Sequence, residues 1–195
     1  MAWFKSSLDD RSKALVAEAV AGYCERARLS YQLLTVEPRV TAEEMAVLWA
    51  AVMVNWGSAR PQNSGSSEME AVFDSTATDF FHSVCQGYVE NVCGSPLRLH
   101  IDSSEITAMI HPTMESMPSE RVQRLGHLVG ALSSNACELA TATVQLLSAG
   151  LTNEQGRAAK QHALSLVQKD TKLNPFERQK ASEWLTALSW ERASP

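Results

Sequence analysis

Four cysteines in 195 residues, without paired spacing, are too few for the disulfide framework of a small secreted protein. Nothing at the start has the basic-then-apolar order of a leader peptide, so the reading is of reduced thiols in the cytoplasm. Basic excess is missing too. The net charge is −5, which gives no general affinity for nucleic acid or anionic membrane. Seven prolines and nine glycines are too sparse for a collagenous or low-complexity chain.

Long apolar runs are also absent. Met45 to Trp56 is apolar at eleven of twelve positions, yet twelve helical residues reach about 18 Å against a hydrocarbon core of about 30 Å. Leu125 to Leu151 is long enough and carries only Glu138 as a charge, but Ser133, Asn135, Thr143 and Gln145 suit a protein interior. The expectation is a chain that does not enter a membrane. No Gly-x-Ser-x-Gly elbow, phosphate-binding glycine loop, His-Glu-x-x-His or Gly-x-Gly-x-x-Gly occurs.

What is present is helical periodicity from end to end. Val16, Val20, Tyr23, Ala27, Tyr31 and Leu34 recur at three- and four-residue steps and predict a first helix over 9–34. Thr41-Ala42-Glu43-Glu44 is a capping box opening a second helix, in which hydroxyl and carboxylate answer each other's backbone donors. Residues 57–67 have the composition of a flexible loop. A third helix follows Ser67 and ends at Gly94-Ser95-Pro96.

Residues 95–118 read as an irregular connection. Leu97, Leu99 and Ile101 alternate as a strand would, and Asp102 or Ser103 caps a short helix that Pro112 should stop. The longest helix, about 118–149, keeps Val122, Leu125, Val129, Leu132, Ala136, Leu139, Thr143 and Leu146 on one seam. Its flanks are small or apolar, so it is expected at the centre of a bundle, with Gly126 and Gly130 admitting a neighbour closely. Thr152-Asn153-Glu154-Gln155 is a second capping box, and Asn174-Pro175 opens a last helix. The fold expected is all-α: a single-domain bundle of six or seven helices spanning 1–195.

Three kinds of function fit this pattern. The first is a non-enzymatic interaction protein: an inhibitor, immunity protein, adaptor or regulator. Residues 36–120 hold twelve acidic and three basic side chains, net −9. Glu68, Glu70, Asp74 and Asp79 would meet a basic protein partner, with Met109, Met114 and Met117 as adaptable apolar contacts. The nearly all-apolar Met45–Trp56 helix is most simply core, with a homodimer interface second. No cofactor is expected.

The second kind is a helical nuclease. HEPN ribonucleases are all-helical and carry Arg, four to six residues, then His, to hold a phosphate and move a proton. Arg157 to His162 resembles that pattern, as does Arg121 to His127. Eleven arginines and five histidines in this length give about one such match by chance. The third kind is a small-molecule or metal-binding bundle resting on His82 and Cys85, three residues apart on one helix face. A zinc site would need about two more ligands, and no second close pair exists.

Overall fold

A computed structural model describes residues 9–58, 68–99, 104–171, 173 and 175–190, without the side chains of 54–58, 104–107, 109, 176 and 177. Gly57 and Ser58, expected in a loop over 57–67, are helical; the remainder of that loop at 59–67, Ile101, the capping candidates Asp102 and Ser103, Asn174 and the Met109 side chain lie outside the described residues. The fold is all-α. Among the described residues seven helices follow in order: α1 Asp10–Thr35, α2 Ala42–Ser58, α3 Glu68–Asn91, α4 Ser104–Ser116, α5 Ser119–Leu147, α6 Asn153–Lys169 and α7 Pro175–Ala187. No described helix is long and apolar enough to cross a membrane.

Two compact units divide the chain. One holds residues 1–27 and 139–195, the other Arg28–Glu138, so α1 and α5 each supply residues to both.

Within the Arg28–Glu138 unit, α2 packs on α3 and α4. Met45, Leu48, Trp49 and Val52 of α2 are buried with Phe81, Val84, Cys85 and Tyr88 of α3. The Trp49 and Phe81 rings stack at 5.7 Å. Over its described side chains α2 is therefore mostly buried, as expected of core, with Ala51 exposed. Buried Asn135 is not left orphaned: its Nδ2 donates to the Ser30 hydroxyl at 3.1 Å.

The other unit pairs α6 with α7. Val16, Val20, Leu139, Leu146, Val167 and Leu185 are buried in it, and Tyr23 stacks on Trp184 at 4.9 Å. Both capping boxes form. The Thr41 hydroxyl accepts from the Glu44 amide and Glu44 accepts from the Thr41 amide; Thr152 and Gln155 do the same.

Three expectations need correction. Pro112 does not stop α4, which continues to Ser116. A proline inside a helix forfeits one amide donor, here the one that would reach the Ala108 carbonyl, and α4 accepts that loss. The α5 seam is buried from Leu125 to Leu146 except half-buried Val129, but Val122 is 37% exposed. Nor is α5 enclosed: Gln123, Gly126, Gly130, Ser134, Thr141 and Gln145 form an exposed stripe. A Cβ at Gly126 or Gly130 would meet nothing within 4 Å, so neither glycine admits a close neighbour. Leu128, Asn135 and Ala140 are buried beside the seam, so α5 is covered over one broad face and open along this stripe of polar and small residues.

Gly156 on α6 is the glycine that packing demands. A Cβ there would lie 2.6 Å from ring carbons of Trp190. Gly156→Ala must therefore displace the indole and should cost about 1–3 kcal/mol. Gly130→Ala, in open helix surface, should gain roughly 0.5–1 kcal/mol. Urea unfolding of both variants checks the pair. A neutral Gly156→Ala would mean that the indole moves aside without loss.

Candidate functional site

The most elaborate polar construction lies in the Arg28–Glu138 unit, around the link between α1 and α2. Pro38 follows a cis peptide bond. Glu44 is only 8% exposed, and Arg121 of α5 reaches it with Nε at 2.5 Å from one carboxylate oxygen and Nη2 at 2.5 Å from the other. The same guanidinium donates to the carbonyls of Pro38 at 2.8 Å and Arg39 at 2.6 Å. Arg124, one turn on, donates to the Val36 carbonyl. From α3, the Tyr88 hydroxyl lies 3.0 Å from the Leu34 carbonyl and 2.9 Å from that of Val40. Five carbonyls of a seven-residue stretch thereby lie within hydrogen-bond distance of three side chains, the two facing Tyr88 sharing its single hydroxyl proton.

Electrostatics follow from this geometry. Burial alone would raise the Glu44 carboxyl pKa, but the Arg121 hydrogen bonds and the Thr41 amide outweigh it and hold the group below its ordinary value. Arg121 in turn is pushed up, chiefly by Glu44. This is a structural clamp, since every donor of interest is already engaged.

Beside the clamp lies a cleft of about 350 Å³, bordered by Arg39, Val40, Ala42, Glu43, Val92 and Cys93, with Thr41, Tyr88 and Ser95. The end of α3 shapes one wall. Gly94 sits at φ 62°, and the Ser95 amide returns to the Val89 carbonyl at 3.0 Å. Burial and the neighbouring Glu43 carboxylate raise the pKa of the Cys93 thiol, so it is a neutral wall and not an activated nucleophile.

The candidate residues read from sequence are not gathered in one place. Glu68 and Asp79 are exposed and lie about 20° apart around α3, whereas Glu70 and Asp74 lie about 200° or more round from Glu68. The four carboxylates therefore belong to two faces. Met114 is 44% exposed on α4, and Met117 is half-buried just beyond it.

His82 and Cys85 are structural. The His82 Nε2 is 2.9 Å from the Leu99 carbonyl and the ring packs on Trp49. Cys85 is wholly buried, which pushes its thiol pKa up and disfavours a thiolate. No group of three or more His, Cys, Asp or Glu is arranged for a metal among the described residues.

Arg157 is exposed and borders a small cleft of about 120 Å³ with Asn153, Lys160, Leu188, Ser189 and Trp190. His162 is not among the lining residues; at five positions on, it faces about 140° away around α6. Arg121 is committed to Glu44, and His127 is exposed.

Sequence reasoning missed the clamp. In sequence Glu44 reads as the capping-box carboxylate, and nothing local links it to Arg121, 77 positions away. Comparison of the chain with known protein families, curated proteins and solved structures finds no match.

Proposed function

We propose that the protein is a non-enzymatic interaction protein of inhibitor, immunity, adaptor or regulatory type, acting in the cytoplasm on a partner with a basic surface. The observation that carries this reading is the segregation of charge. The Arg28–Glu138 unit has thirteen acidic and six basic side chains, net −7, while the remainder of the chain is +2. Part of that negative charge is internally compensated, through Glu44 with Arg121 and Glu90 with Arg98. Glu43, Glu68, Asp79 and Glu120 are exposed and form no ion pair among the described residues. Complementary charge of this kind speeds encounter and fixes register. Exposed Met114 supplies an apolar contact of the adaptable type.

The test uses a partner recovered from the source cell by proximity crosslinking and then purified. Glu68→Lys with Asp79→Lys should lower its association rate roughly tenfold at low salt, because steering depends on the field of the whole unit. Arg157→Ala with His162→Ala should leave binding unchanged. If that second pair abolishes the cellular activity while charge reversal does nothing, a helical nuclease replaces the interaction reading.

A further inference from the structure

Resting on that reading, we infer that the cleft beside the clamp is the socket for a lysine or arginine side chain of the basic partner. Long cationic side chains need two things from a binding site: apolar walls for the methylene stem and an anionic group for the head. This cleft has both. Half-buried Val92 and the neutral Cys93 thiol line it over buried Val40 and Ala42, and the cleft as a whole has about 350 Å³. Glu43 stands at the same cleft, exposed and without an ion-pair partner among the described residues.

Arg39, the one cation among the lining residues, is already answered. Its Nε is 3.2 Å from one Glu37 carboxylate oxygen, and its amide donates to the other at 3.2 Å. The clamp supplies rigidity. The loop from Leu34 to Val40 is held through its carbonyls by Tyr88, Arg121 and Arg124, so the wall at Arg39 and Val40 does not have to be ordered when a partner arrives. The C-terminal turn of α3 adds partial negative charge next to Val92 and Cys93. At the opposing end of α2 the capping box satisfies the Thr41 and Glu44 amides.

Cys93 makes the cleft directly measurable, because Cys85 is wholly buried and site-resolved mass spectrometry separates Cys93 from Cys24 and Cys137. In the intact chain, a trimethylammonium methanethiosulfonate reagent should modify Cys93 several-fold faster than its sulfonate counterpart. Glu43→Gln should bring the two rates together. A capped pentapeptide with a central lysine or arginine should protect Cys93, and the same peptide with norleucine should not. Equal rates for the two reagents in the wild-type chain, or equal protection by norleucine, would overturn the inference. Nuclear magnetic resonance shifts from the basic peptide at Glu68 and Asp79, with Cys93 left unprotected, would also overturn it while sparing the acidic-surface reading. A basic peptide that binds nowhere on the Arg28–Glu138 unit would remove both.

Discussion

Arg121→Ala is expected to destabilise the protein by about 3 kcal/mol at neutral pH, because it leaves the Glu44 carboxylate in a largely buried site without its counter-charge. The loss includes the anchors on the Pro38 and Arg39 carbonyls. Adding Glu44→Gln should recover part of it, since the uncompensated charge then disappears. Acid should act on the wild type in the same direction. A carboxyl whose pKa is lower folded than unfolded contributes its full stabilisation above the unfolded value, about 4.3. That contribution is lost as pH falls through the lower folded pKa. Arg121→Ala should reverse this part of the pH profile, because burial then dominates at Glu44, raises its folded pKa, and protonation relieves the uncompensated charge. Urea titrations of the wild type and both variants across the acid range check these points. A loss below about 0.5 kcal/mol for Arg121→Ala would show that the clamp is ornamental.

Leu132→Asp should have a still larger effect. Leu132 is 2% exposed on α5, so the new carboxylate would be buried with no partner. The cost is several kcal/mol, comparable with the whole stability of a domain of this size, and the expected result is failure to fold. Leu132→Ala keeps the question measurable at about 2–5 kcal/mol. Val122→Asp, on the same seam but 37% exposed, should change stability by no more than about 0.5 kcal/mol. Circular dichroism and urea midpoints distinguish the three. A folded Leu132→Asp chain with an unchanged midpoint would place α5 outside the core.

The contrast between Leu132 and Val122 illustrates what the amino-acid order made legible. Features written within one helical turn were read correctly: both capping boxes, the glycine terminators Gly94 and Gly150, and the seam from Leu125 to Leu146. Their physics is local and their spacing is enough. Features that depend on what lies opposite were not legible. Small residues at Gly126 and Gly130 read as close packing, yet they face open space, while Gly156, with no such signal around it, lies against the Trp190 ring. A glycine's role is decided by its neighbour in space.

The candidate site was legible in its charge and illegible in its arrangement. The acidic centre is a count along the sequence, and it survives as the −7 unit. Its division over two faces of α3 follows from helical phase, with Glu68 and Asp79 on one side and Glu70 and Asp74 on the other. The cleft and its clamp could not be anticipated, because Tyr88, Arg121 and Glu44 meet from three helices. Tyr88 reads as one more core aromatic on α3, and its hydroxyl gives no sign in sequence that two carbonyls 48 and 54 positions away await it.

The central claim is that the Arg28–Glu138 unit meets its partner through negative charge. Its most direct test is the association rate of the purified partner with the wild-type chain and with the Glu68→Lys, Asp79→Lys variant, followed as ionic strength rises. Screening shortens the reach of charge to about 8 Å at physiological ionic strength. The wild-type rate should therefore fall steeply with salt, and the variant should begin slow and respond little. Rates that coincide at every ionic strength would contradict the claim.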